Sequence, residues 1–320
     1  MFAGDVGRID FYRDKEKQKK AALWLYNSLF EKLLQLDDGT FVLPAHGSGS
    51  ICGRSISSFP YTTIGYEKQI NTYLLLTKEE FLSYKAKETL EIAPNMTTIE
   101  KLNLEGAPLL DGLPNPKPMT VAEVKQAQKN GAQIVDIREP ESFAGGHIPN
   151  SLSIWKNGLP TNALWMLEYT KPIVIIKSTH QDLTLALKYL IRLGFDNVMV
   201  YLRGFRNWCL QGEQYQKTAV WSVHELNKRF EDPDLFILDV RIAHSVKENG
   251  KIKGSHHIFL GNLPLEIQKI PRDKRIAIYC DSGFKTFTAV SFLLKKGYKN
   301  VVGIFGSMKA WINARCPFEE

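Results

Sequence analysis

Between Gln133 and Phe305 the chain alternates short, unbroken apolar runs with longer stretches of helical spacing. The runs "QIVDI", "PIVIIK", "FILDV", "IAIYC" and "VVGIF" are rich in Val and Ile and lack the strict alternation of a half-exposed strand. They read as strands buried on both faces. Between them, "TVAEVKQAQKNG" opens on Thr120 with Glu123 three residues later, a capping box, and stops at Gly131. "TFTAVSFLLKKG" stops in the same way at Gly297. Strand, loop and helix in alternation predict an α/β fold with a parallel sheet flanked by helices.

The pattern occurs twice. Ile134 recurs as Ile237, Ile173 as Ile276 and Leu193 as Lys296, each within a similar block and each at an offset of 103 positions. Only "GHIPNS" against "GKIKGS" slips, by one residue. A constant offset over three blocks marks a tandem duplication of one domain. The copies are placed at 119–212 and 219–320.

Ahead of them lies a different region, 1–85, with an amphipathic helix expected from Glu16 to Leu36, a strand "TFVLP" and a loop "AHGSGSICG". The segment 86–118, ending "APLLDGLPNPKPM", is rich in proline and glycine and reads as a linker.

Composition narrows the class. With 44% hydrophobic and 23% charged residues the chain is of globular type. No run approaches the roughly 20 apolar residues of a spanning helix, and the first residues lack the apolar core of a secretion signal. The expected location is cytoplasmic, with no membrane partner. A net charge of +7 raises nucleic acid as a partner, but the lysines are spread over helix-like segments without interleaved aromatics, so small anions are the better expectation. The four cysteines Cys52, Cys209, Cys280 and Cys316 form no C-x-x-C pair, which suggests neither a zinc site nor a disulfide framework.

Chemistry concentrates at "CDSGFKT". Cys280 ends a strand and a helix follows, the place where α/β domains hold ligands. Loop amides and the positive helix end are expected to stabilise a thiolate there. Gly283 permits a left-handed turn and Lys285 supplies a rim cation. Cys280 is the candidate nucleophile, against the alternative of a small buried hydrophobe. Asp281, Ser282, Gly283, Phe284, Lys285 and Thr286 are the candidate substrate-binding residues. In the first copy the same frame reads "KSTHQD", with Lys177 for the thiol, His180 for the glycine and Asp182 for the cation. That copy is expected to be inactive and to serve as a packing platform or a docking module. Asp239 and Arg241 read as a structural ion pair, and His256 and His257 as solvated loop residues. Cys209, after Trp208, reads as core, and Cys316 has no visible role.

The spacing C-x-x-G-x-K, the strand end "LDVR" and the late "KGYKNVVGIFGSMKAW" together resemble a rhodanese domain over 219–320. "DIREPESFAGGHIPNS" carries the same resemblance in the first copy. The resemblance implies sulfur transfer: the Cys280 thiolate takes sulfane sulfur from thiosulfate or a small persulfide and hands it to a thiol or cyanide, with no cofactor. Lysine stands where the family usually has arginine, which keeps the charge and loses the bidentate fork. A cysteine phosphatase needs C-x5-R, and here the sixth residue after Cys280 is Thr286.

Residues 1–85, through "GDVGRIDF", "LYNSLFEKLLQLDDGTFVLPAHGSGS" and "TTIGYEKQIN", resemble the C-terminal half of a metallo-β-lactamase (αββα) fold of the persulfide dioxygenase type. The whole chain thus resembles a persulfide dioxygenase–sulfurtransferase fusion lacking its first part. The resemblance implies a mononuclear Fe(II) site, but its H-x-H-x-D-H motif is absent. Asp5 reads as a turn residue. His46 matches a late histidine at the rim of the metal site and by itself cannot hold a catalytic metal. Cys52 reads as loop packing, or alternatively as a secondary thiol that relays a persulfide. Expected partners are small sulfur donors and thiol acceptors, with a separate N-terminal half-domain or a second copy of the chain as further candidates. The leading expectation is a sulfurtransferase in sulfide or persulfide detoxification. The alternatives are a split dioxygenase that acts only with its missing half, and a non-enzymatic docking protein.

Overall fold

A computed structural model describes residues 1–9, 14–47, 56–88, 93–110 and 112–319. The chain divides into two compact units, Met1–Ile92 and Ala93–Glu320. No helix of the described residues is long and apolar enough to cross a membrane.

In the first unit two helices, Lys15–Phe30 and Lys78–Lys87, enclose a small core of Val6, Leu29, Tyr73, Leu74 and Phe81. Each helix starts where a side chain satisfies its free amides: the Asp14 carboxylate accepts from Glu16 and Lys17, and Thr77 forms a capping box with Glu80. The first helix ends at Phe30, short of the Leu36 expected from its apolar spacing. A separate 3-10 turn follows at Leu33–Gln35, and Gln35 Nε2 donates to the Phe30 carbonyl at 2.9 Å, satisfying a terminal acceptor. The "TFVLP" strand is reduced to Phe41–Val42, paired antiparallel with Thr62–Thr63. Buried polar groups are satisfied in place: the fully buried Glu67 carboxylate accepts from the Gly4 amide, Thr62 Oγ1 and Asn71 Nδ2 at 2.7–2.9 Å. Asp5 is a turn residue, its Oδ1 accepting the Gly7 amide at 2.7 Å.

The second unit holds both repeats. The stretch read as a linker carries a helix, Met96–Glu105, which packs on the first repeat. Asn95 Nδ2 donates to the carbonyls of Leu164 and Leu167, Ile99 lies against the core, and Leu102 covers Gly194. The proline and glycine signals around this helix concealed its short apolar face.

Each repeat builds a five-stranded, all-parallel sheet. In the first the spatial order is Lys117–Met119, Val198–Arg203, Ile173–Lys177, Gln133–Asp136, Leu152–Ser153. In the second it is Ala219–Trp221, Val301–Ile304, Arg275–Tyr279, Leu235–Asp239, His256–His257. The two orders correspond strand for strand, as the duplication requires. Central strands are buried along their length because helices cover both faces, which explains their unbroken Val/Ile character. The expected capping box forms at Thr120–Glu123, a second one not read from the sequence forms at Ser222–Glu225, and Gly131 and Gly297 take positive φ just past their helices.

The repeats share one core. Leu152, Ile154 and Leu159 of the first lie in the same cluster as Ile258, Leu260, Val290 and Leu293 of the second. The helix Phe284–Lys295 packs on the edge strand Leu152–Ser153 of the first sheet, and Ser291 Oγ takes the Ser153 amide at 2.9 Å. An edge strand that would otherwise present free amides is thereby covered.

Candidate active site at the Cys280 loop

Cys280 follows the central strand of its sheet. The strand Leu235–Asp239 continues to the edge on one side, at His256–His257, whereas Arg275–Tyr279 continues to Val301–Ile304 on the other. The connections therefore diverge beside Cys280, at the switch point where parallel sheets open a crevice.

The loop is held from behind. The Cys280 amide donates to Ser307 Oγ at 3.1 Å, and the Cys280 and Asp281 carbonyls accept from the amides of Met308 and Lys309 at 3.0 and 2.9 Å. Ser307 Oγ is 3.1 Å from Thr286 Oγ1 and donates to the Ile304 carbonyl at 2.9 Å. With both ends pinned, the loop turns at Gly283, whose φ of +106° is left-handed. Its amide then donates to Cys280 Sγ at 3.1 Å. The helix that begins at Phe284 has no side-chain cap, so its first amides and its positive end remain available above the thiol. Cys280 itself is 2% exposed. The arrangement is a thiol at the bottom of a small loop cup with the Gly283 amide turned to its sulfur, suited to stabilising negative charge there.

The candidate substrate-binding residues divide. Asp281, Ser282, Phe284 and Lys285 lie at the surface of the cup, whereas Gly283 and Thr286 are buried. Thr286 is fully buried and works behind the loop through Ser307, so its side chain does not line the mouth. Lys285 is not a free cation: its Nζ lies 3.6 Å from Asp281 Oδ2. Beside the loop, Arg241 grips Asp239 through Nε and Nη2 at 2.6–3.0 Å and reaches the Gly250 carbonyl, with both side chains fully buried. Asp136, Arg138 and Gly146 repeat this in the first copy, so the pair is structural. Burial, with Asp239 nearby, pushes the Tyr279 phenol above its ordinary pKa, which keeps it neutral.

Two residues escaped the sequence reading. Ser307 had a signal: at the offset of 103 it faces Gly204, as Thr286 faces Leu183, so the hydroxyl pair belongs to the cysteine copy alone. Trp155 had none. It comes from the first repeat, and its ring centroid lies 5.1 Å from that of Phe284 at the mouth of the cup.

The loop of the first copy is inverted. Lys177 Nζ points inward and donates to the carbonyls of Ser178, Thr179 and Gln181 at 3.2, 3.2 and 2.7 Å. Where Cys280 meets an amide, Lys177 meets acceptors. Asp182 Oδ1 accepts the Thr184 amide at 2.9 Å and serves the following helix, and His180 is exposed.

Other candidates separate from the site. Cys209 is exposed rather than core, because Trp208 takes the buried position and donates to the Gln214 carbonyl. Cys316 is buried, and burial pushes its thiol pKa up. His256 and His257 form a short edge strand instead of a loop, and His257 Nε2 lies 2.8 Å from the Arg241 carbonyl. His46 is exposed with its ring edge-on to Phe2, and Cys52 lies outside the described residues. Among the described residues no three His, Cys, Asp or Glu side chains gather as metal ligands. Those residues do not fit the Fe(II) site of the resembled dioxygenases.

Both repeats are similar to known proteins. The family profile of the rhodanese-like domain matches residues 120–211 and again 222–314. A sulfurtransferase of Allochromatium vinosum is 28% identical over 93 residues, 29% of this chain and 86% of its own length. The thiosulfate sulfurtransferase GlpE of Pseudomonas aeruginosa is 36% identical over 86 residues, 27% of this chain and 77% of its own. A crystal structure of a metallo-β-lactamase from Staphylococcus aureus aligns with a TM-score of 0.51 and 25% identity, covering 63% of this chain and 55% of that one. This chain thus spans about half of that structure, whose likeness supports a metallo-β-lactamase-like part ahead of the repeats. With both repeats matched, over more than half its length, the chain belongs to the rhodanese-like domain family.

Proposed function

We propose that the chain is a sulfurtransferase that carries sulfur as a persulfide on Cys280. The observation that bears most weight is the Gly283 amide donating to Cys280 Sγ at 3.1 Å within a left-handed loop at the end of the central strand. The names of the two curated relatives point to the same reaction class, and that of GlpE to thiosulfate.

The Cys280 thiolate attacks the outer sulfur of thiosulfate, the S–S bond of the donor breaks, and its electron pair leaves with sulfite. With a thiol persulfide the same attack releases the thiolate. The new terminal sulfur of Cys280–S–S⁻ lies in the loop cup, and cyanide or an acceptor thiolate then removes it, regenerating the Cys280 thiolate. Lys285 and the helix end stabilise charge on donor and leaving group. The inverted Lys177 loop leaves the first copy without a nucleophile, as a platform for the second. The setting is sulfide or persulfide detoxification.

Thiocyanate formation from thiosulfate and cyanide tests the reading, with intact-mass detection of one added sulfur on Cys280. Loss of both in Cys280→Ser is expected. Undiminished turnover in that variant would overturn the assignment.

A further inference from the structure

We propose that Asp281 is a specificity-determining residue, a built-in counter-ion that sets the charge which the Cys280 loop presents to its sulfur donor. The proposal rests on Cys280 as the sulfur carrier and concerns what the mouth of the cup admits. Its ground is the contact between Asp281 Oδ2 in the loop and Lys285 Nζ in the first turn of the helix at 3.6 Å, both partly exposed.

Two neighbouring cationic residues bear on this pair, Arg241 electrostatically and Lys309 through its backbone. Arg241 is fully buried and committed to Asp239 and Gly250, so its guanidinium is withheld from a ligand. Lys309 is exposed, and its amide is engaged by the Asp281 carbonyl, so that its helix start fixes the Asp281 backbone. Asp281 and Lys285 thus oppose each other's charge beside the Cys280 loop. The first copy has no such pair, because Ser178 and Asp182 occupy these positions.

The consequence follows from the charges of the donors. Thiosulfate enters as a dianion and leaves sulfite, also a dianion, behind the broken S–S bond. It must draw Lys285 from Asp281 and also bear the field of that carboxylate. A thiol persulfide, RSSH, transfers its terminal sulfur with only one negative charge on the departing RS⁻. Asp281 therefore biases the loop against doubly charged donors. Partial exposure keeps the effect moderate, about three- to fivefold for one charge at this range.

Two measurements on Asp281→Asn and Asp281→Glu test this. The first is peptide-resolved alkylation of Cys280 by iodoacetate and by iodoacetamide, reagents that differ in charge and require no sulfur transfer. The second is the ratio of kcat/KM for thiosulfate to that for 2-hydroxyethyl persulfide, whose carrier group is uncharged. In Asp281→Asn both the iodoacetate-to-iodoacetamide ratio and the thiosulfate-to-persulfide ratio are expected to rise about three- to fivefold at low salt, and less at high salt. Asp281→Glu, which restores the charge, is expected to stay near the native ratios. A purely structural role would move both members of each ratio together. Unchanged ratios in Asp281→Asn, or the same change in Asp281→Glu, would overturn the proposal. If the alkylation ratio shifts while neither donor yields sulfur, the charge role stands and the sulfur-carrier reading fails. If Cys280-dependent transfer is robust and neither ratio moves, the role of Asp281 alone fails.

Discussion

The indole of Trp155, in the repeat that lacks the thiol, lies 5.1 Å from the ring of Phe284 in the repeat that has it, tilted by 39°. Phe284 is the first residue of the helix after the Cys280 loop, so the first repeat reaches the mouth of the second repeat's site. Each truncation, Trp155→Ala or Phe284→Ala, is expected to lower stability. A double-mutant cycle in urea should return a coupling of about 0.5–1.5 kcal/mol, the range of aromatic pairs. Strictly additive losses would show that the rings touch without coupling.

Lys177 is satisfied by three carbonyls of its own loop. Lys177→Met removes the donor while the loop keeps its acceptors, two of them on exposed residues that water can reach. A cost of about 1–2 kcal/mol is expected in chemical denaturation. Lys177→Cys in a Cys280→Ser background should release no sulfur, since the surrounding loop offers carbonyls where a thiolate needs amides. Measurable thiocyanate from that variant would show that the inverted loop can turn over.

Gly283 holds φ at +106°, and a Cβ added there would come within 3.3 Å of the Gly306 amide nitrogen. Both the left-handed backbone and the close approach oppose a side chain. Gly283→Ala should destabilise the fold by about 1–2 kcal/mol and shift the amide that faces Cys280 Sγ. Sulfur transfer should fall more than in Ser282→Ala, where the side chain is exposed. Equal activities in the two variants would count against the cup.

His147 is buried, its Nδ1 is 3.0 Å from the Phe143 carbonyl and its ring is stacked on Phe143. Burial lowers its pKa below the ordinary imidazole value, outweighing the opposing effects of that hydrogen bond and of Asp136. The unfolded chain then binds the proton more readily than the folded one. The contribution to stability is fully present above the unfolded value of about 6.5 and is lost as pH falls below it and through the depressed native value. Urea midpoints at pH 7.5 and 5.5 should differ more in the native chain than in His147→Gln. A midpoint that rises on acidification through this window would reverse the sign.

Much of the architecture is legible in residues alone because it is local or periodic. The apolar runs around Ile134, Ile173 and Ile276 mark the strands, Thr120 with Glu123 marks a helix start, and the offset of 103 exposes the duplication. The Cys280 loop is legible for the same reason: thiol, glycine and cation lie within six positions, and the first copy offers "KSTHQD" for contrast. Harder to read are elements whose signals are short or masked, such as the helix Met96–Glu105 among prolines and glycines, or the early end of the first helix at Phe30. Cys209 misled because a cysteine next to Trp208 shares its apolar setting in sequence, although successive helical residues face different directions.

Sequence by itself determined the class of the fold, its doubling, and which copy retains the loop cysteine with its turn glycine, since these depend on residue type and spacing along one segment. Tertiary structure decided what surrounds that cysteine. Ser307 meets the Cys280 amide from 27 positions away, Trp155 arrives from the other repeat, and Lys285 Nζ lies 3.6 Å from Asp281 Oδ2. The physical reason is that a packed core brings distant segments together by shape and burial, and a rotamer or an ion pair is chosen only once those neighbours are in place.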